Sequence, residues 1–162
     1  MDVAVVYESI FGNTRIVAEA IAEGLQASDQ RAQVAVMPVG EATPERLESV
    51  ELLIVGAPTH VTRMPSPRTR QQFTAAPGVR EWLAGLPAAL PGQQAAAFDT
   101  RLSYPLAGSA ARPISRRLRH HGYKIVAKPT GFIVEGGKGP LKDEERERAR
   151  AWGAGLVREK VA

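Results

Sequence analysis

Cysteine is absent from the 162 residues. That excludes disulfides, thiolate nucleophiles, Cys-ligated zinc and iron–sulfur clusters. It also accords with the cytoplasmic location expected of the chain. No apolar run reaches the ~18 residues that a membrane-spanning helix requires. The first residues carry no basic leader ahead of an apolar run, so no secretory signal is expected. The two adjacent histidines, His120 and His121, lack the i, i+4 spacing of a zinc pair, and no metal site is expected. Acidic residues are missing between Asp99 and Glu135, a stretch that holds Arg101, Arg112, Arg116, Arg117, Arg119, Lys124 and Lys128. This local excess accounts for the net charge of +4 and the pI of about 9.8. It reads either as a solvated helix face or as a docking surface for an anionic partner. Nucleic acid is not the expected partner, because the basic run has little aromatic interleaving and matches no binding motif.

What is present is ordinary for a globular chain: 44% hydrophobic and 23% charged residues. No repeat, linker or composition shift divides it, so residues 1–162 are expected to form one domain. Short apolar runs at 3–7, 33–37, 52–56 and 94–98 read as strands. Between them lie helical patterns starting near Asn13, at Pro44 with Thr43 as N-cap, and over 79–86. A further helix follows Ser109, with Ala111, Ile114 and Leu118 inward and Arg112, Arg116, Arg119 and His120 outward. Residues 124–127 and 132–134 read as two pieces of one strand, interrupted by Pro129, Thr130 and Gly131. Asp143 is expected to cap a last helix that buries Ala149, Trp152 and Leu156. Strands alternating with helices predict an α/β doubly wound three-layer sandwich. Its economical form is a five-stranded parallel sheet in order 2-1-3-4-5, with a ligand at the carboxyl ends of the strands.

Three loops gather at that end: 9–14, 57–70 and 99–108. Ser9-Ile10-Phe11-Gly12-Asn13-Thr14 follows a buried strand and opens a helix. The first-turn N–H groups of a helix attract anions. Ser9, Asn13 and Thr14 add side-chain donors, and Gly12 allows close approach or a positive φ. Neither a Walker A ending nor a dinucleotide fingerprint is present. The loop therefore reads as a phosphate cradle, and the other two loops embrace whatever the phosphate carries.

Here the chain resembles the flavodoxin family. The resemblance rests on the 9–14 loop, on Gly56-Ala57-Pro58-Thr59, and on Gly139-Pro140-Leu141 before the helix with Trp152. It covers nearly the whole chain and is to the short-chain form. It implies bound FMN, electron transfer by the flavin and a redox partner protein. Carried over by position, Ser9, Ile10, Phe11, Gly12, Asn13 and Thr14 hold the phosphate. Pro58, Thr59 and His60 flank the ribityl chain and ring, and Asp99, Thr100, Arg101 and Tyr104 form the other wall. No catalytic side chain is implied, and an electron carrier is favoured over a substrate-specific oxidoreductase.

The chain also departs from the family pattern. His60 stands where a stacking Trp is common, which predicts looser flavin binding. Arg63, Arg68, Arg70 and Arg101 replace an acidic surround. They predict a less reducing flavin, since a cation favours an anionic reduced form, and a partner with an acidic docking face. A monomer or weak dimer is expected. Two alternatives remain open: a flavin-dependent oxidoreductase acting on a quinone or porphyrinogen-like substrate, and a flavin-free binding protein.

Overall fold

Residues 3–6 are apolar and rich in valine, and a strand of that composition needs cover on both faces. The computed structural model describes residues 1–59, 78–104 and 106–161, with side chains as far as Val157, and it supplies that cover. The strands are β1 (Asp2–Tyr7), β2 (Gln33–Pro38), β3 (Leu52–Pro58), β4 (Gln94–Leu102), β5 (Lys124–Ile125) and β6 (Thr130–Val134). The helices are α1 (Asn13–Ser28), α2 (Pro44–Leu47), α3 (Val79–Ala84), α4 (Ala111–His120) and α5 (Glu145–Val161). The sheet runs β2-β1-β3-β4, and both β5 and β6 pair in parallel with β4. They occupy one position in two pieces, so the expected 2-1-3-4-5 order holds.

Alternate residues of the central strands feed opposite cores. Val3, Val5, Leu52, Ile54, Ala96 and Phe98 pack under α1 and α5. Ala4, Val6, Leu53, Val55, Ala95 and Ala97 pack toward α2, α3 and α4. Val17, Ala20, Ile21, Gly24 and Leu25 form the buried stripe of α1, as their spacing predicts. Phe98, Phe132 and Trp152 form an edge-to-face cluster with centroids 6.1–6.4 Å apart.

Four boundaries differ from expectation. First, β4 does not stop at Phe98. It continues through Asp99, Thr100 and Arg101 to Leu102, because β6 supplies a ladder partner beyond the end of β3. The supposed third loop thus starts as strand. Second, the break in the last strand falls at 126–129, and Thr130 and Gly131 lie within β6. Third, α3 ends at Ala84, two residues early, with Gly85 as its C-cap. Fourth, α5 begins at Glu145, and the Glu144 carbonyl accepts the Arg148 N–H at 2.9 Å. Asp143 therefore lies outside the cap. Thr43 does occupy the N-cap of α2, without a side-chain capping bond.

Glu145 joins α5 to β6 by accepting the Ile133 N–H at 2.7 Å and an ion pair from Arg148. Hydrogen bonding from Arg148 holds the Glu145 carboxyl below its ordinary 4.5, against its own desolvation. A lowered folded value means the contribution is complete above 4.5 and is lost as pH falls through the lowered value. Acid unfolding monitored by circular dichroism should show this. Glu145→Gln should be less stable than wild type at neutral pH, and the difference should shrink as acid protonates the wild-type carboxyl.

Candidate functional site

The phosphate-cradle loop leaves β1 at Tyr7 and enters α1 at Asn13. Gly12, the N-cap of α1, has φ +92°, a left-handed conformation. A Cβ there would meet nothing within 4 Å. Conformation, not crowding, is therefore what demands glycine at this position. The Gly12 carbonyl accepts the first helical bond from the Ile16 N–H at 3.1 Å. Ser9 Oγ accepts the Gly12 N–H at 3.1 Å and the Arg15 N–H at 3.4 Å. The Asn13 and Thr14 amides lie in the first turn, where no helical carbonyl faces them. The loop lies at the positive end of the α1 dipole.

Thr14 and Thr100 are both buried, and their hydroxyls lie 2.9 Å apart. One donates to the other, so one hydroxyl proton of the pair is left for a third group. Thr59 is placed by its amide, which donates to the Thr100 carbonyl at 2.8 Å. Its Oγ1 accepts the Ala110 N–H at 3.0 Å, ahead of α4.

A single cleft is lined by Ile10, Phe11, Asn13, Thr14, Pro58, Thr59, Thr100 and Arg101, together with Leu102, Val134 and Gly137. Sequence reasoning had named the first eight and missed the last three. Leu102 and Val134 were missed because they face the cleft only through the β4–β6 pairing, which is non-local. Gly137 belongs to the glycine-rich 136–139 turn, visible in sequence but without an obvious partner. Among the described residues no carboxylate lines the cleft.

The remaining expected residues fall elsewhere. Ser9 and Gly12 brace the loop from within. Tyr104 is 49% exposed and does not line the cleft. His60, Arg63, Arg68 and Arg70 lie outside the described residues. Asp99 is 0% exposed, and its carboxylate is consumed internally. It accepts Arg101 Nε at 2.7 Å and Nη2 at 2.8 Å, Ser109 Oγ at 2.8 Å and the Ala111 N–H at 3.0 Å. Ser109 Oγ in turn accepts the Arg112 N–H at 3.2 Å. Asp99 and Ser109 therefore cap α4. The pairing also offsets the Arg101 charge, which weakens that residue's expected effect on a neighbouring redox group. A larger, more open hollow of about 300 Å³ lies between Leu47, Leu86, Leu90 and Tyr123. It is set by residues that precede β4 and β5, at the opposite end of the sheet from the cradle.

The residues of the cleft fit a phosphate ester. First-turn amides, a spare hydroxyl proton and the lack of carboxylates among the described lining residues all favour an anion. Parallel sheet order, an anion cradle after β1 and flanking walls from β3 and β4 define a flavodoxin-like α/β protein. The flavodoxin family profile matches residues 5–152, and the chain belongs to that family. It is thus an FMN-binding, electron-transfer flavodoxin-like protein, a class that passes electrons to partner proteins.

Solved structures agree in fold. The chain is similar to a flavodoxin from the domain Archaea, at 21% identity, TM-score 0.73 and full coverage of both chains. It is similar to flavodoxin 2 of Bacillus cereus, at 20% identity and TM-score 0.72, covering 98% of this chain and 99% of that one. It also resembles the Streptococcus pneumonia TIGR4 flavodoxin, at 17% identity, TM-score 0.70 and the same coverage. Among curated proteins none matches the sequence. Among the described residues no helix is long and apolar enough to cross a membrane, and no group of side chains could hold a metal ion.

Proposed function

We propose that the chain carries FMN at the carboxyl ends of β1, β3 and β4 and exchanges electrons with an acidic partner protein. The phosphate is assigned to the 9–14 loop. The Asn13 and Thr14 amides and the spare proton of the Thr14–Thr100 pair donate to it. Pro58, Thr59 and Leu102 flank the remainder, with His60 and Tyr104 as the proposed aromatic contacts of the ring. Bound FMN supplies one- or two-electron transfer, and the protein's part is to hold, orient and shield it. Asp99 and Arg101 serve this site by fixing α4 and the end of β4.

The observation that carries this reading is the buried Thr14–Thr100 pair at the floor of a cleft that begins at an open helix N-terminus. The docking face is proposed from two features. Phe11, Leu102, Tyr104 and Leu106 are exposed at 40, 36, 49 and 78%; Phe11 and Leu102 line the cleft, and Tyr104 and Leu106 follow the end of β4. Arg112, Arg116, Arg119 and His120 are all exposed along α4, which gives an acidic partner its electrostatic complement.

Titrating the purified protein with FMN, followed by flavin fluorescence, tests the site. Wild type should bind stoichiometrically. Thr14→Val, which removes a hydroxyl of the pair, should weaken FMN by about tenfold, the scale of one hydrogen bond to a charged group. Refusal of FMN would end the reading.

A further inference from the structure

Two positions in the 9–14 loop, Ile10 and Phe11, offer an anion no polar side chain and no glycine freedom, and Phe11 is exposed. A cation from elsewhere in the fold stands there. The Lys138 ammonium lies over the Phe11 ring, 5.9 Å from its centroid. Its approach is built into the loop after β6. Val134 and Leu141 form an antiparallel bridge, and the Glu135 N–H donates to the Pro140 carbonyl at 2.9 Å. The Gly139 N–H donates to the Gly136 carbonyl at 2.9 Å. This turn is then fastened to the cradle. Asn13 Nδ2 donates to the Lys138 carbonyl at 3.3 Å. Gly139 has φ +99°, and a Cβ there would fall 2.7 Å from both polar atoms of the Asn13 amide. Asn13 thus occupies space that glycine leaves open, and the backbone of Lys138 is held by the first residue of α1.

We infer that Lys138 is a charge partner of the cofactor's phosphate, brought to the cradle from the loop after β6 by the Asn13 clamp. The inference rests on the proposal above that the phosphate lies in the 9–14 loop. It assigns to this chain a cationic phosphate site where its own loop supplies only neutral donors. Of the other charged groups nearby, Arg15 is already paired with Glu19 at 2.9 Å, and Glu135, exposed, sits at the root of the turn. Phe11 gives the ammonium a platform.

The test compares FMN with riboflavin, which lacks the phosphate, on the full chain by flavin fluorescence. Lys138→Gln should weaken FMN by about tenfold at 50 mM salt, as expected for one cation facing a doubly charged group near the surface. Riboflavin affinity should not move. At 500 mM salt the gap between variant and wild type should close, because the screening length is then well under ~8 Å. Lys138→Arg should restore both affinity and salt dependence. Lys138→Gln binding FMN within twofold of wild type at low salt would overturn the inference, as would equal losses for FMN and riboflavin. Wild type that binds FMN no better than riboflavin, or binds neither, would instead overturn the phosphate-loop reading and the Lys138 role with it.

Discussion

Asp99→Ala is expected to lower the unfolding free energy by about 3–5 kcal/mol, the range for removing one member of a buried ion pair. Four donors converge on this fully buried carboxylate: two from Arg101, one from Ser109 and one from the Ala111 backbone. Alanine leaves a half-enclosed guanidinium, a hydroxyl and a helix N-terminus without their acceptor. At this chain length the loss corresponds to a fall in melting temperature of about 10 °C. Ser109→Ala should cost about 1.5–3 kcal/mol, since it removes a hydrogen bond to the charged Asp99 carboxylate and the acceptor of the Arg112 N–H. Removing Arg101 together with Asp99 should cost less than the sum of the two single changes, because the second deletion relieves the stranded charge left by the first. The loss should reach the cofactor site, since Thr59 is tied to the same end of α4 through Ala110. Urea unfolding of these four variants measures this. An Asp99→Ala protein within about 1 kcal/mol of wild type would refute the argument, because that is the scale of an exposed pair.

The same residue marks where the sequence stops being legible. β1 and β3 read directly, because strands buried on both faces must be apolar throughout. The 9–14 loop reads directly too, because its residue types are chemically suited to one task and follow a strand. Asp99-Thr100-Arg101-Leu102 reads as a polar loop, and yet it is strand. Its ladder comes from β6, some thirty residues on, and its polar side chains are satisfied by Ser109, Thr14 and the start of α4. Periodicity sees neither. Lys138 was hidden for a related reason: the turn that carries it meets the cradle only through Asn13. The misplaced cap at Asp143 is a local error. The chain reaches α5 through Glu144 at φ 72°, so the helix starts later than the run of acidic residues implies. Propensity located the elements, long-range pairing decided where β4 ends and β6 begins, and local backbone geometry set the end of α3 and the start of α5.

Gly24→Ala should be nearly as damaging as Asp99→Ala, although alanine is the better helix former by about 1 kcal/mol. In α1, Gly24 faces α5 so closely that an added Cβ would lie 2.8 Å from the Arg150 carbonyl carbon and 3.0 Å from the Ala154 nitrogen, and nearer still to the Arg150 carbonyl oxygen. From the other side, a Cβ on Gly153 would lie 3.0 Å from both the Ile21 carbonyl carbon and its Cα, and nearer to its oxygen. All of these are backbone atoms, which cannot swing aside as a side chain can. The helices must separate, at about 3 kcal/mol for overpacking a filled core. Gly155, two residues from Gly153, meets nothing within 4 Å. Gly155→Ala should therefore stabilise by about 0.5–1 kcal/mol from backbone entropy alone. Opposite signs for Gly153→Ala and Gly155→Ala, both on α5, separate packing from propensity. Gly24→Ala and Gly153→Ala together should cost less than their sum, because one displacement of α5 relieves both. That displacement also carries Trp152 away from Phe98 and Phe132, which underlie the β4 segment holding Thr100. FMN affinity should fall with stability in Gly24→Ala and hold in Gly155→Ala. Thermal melts with FMN titrations on the four variants decide it. Gly24→Ala melting at or above the wild-type temperature would mean that the two helices have room to spare.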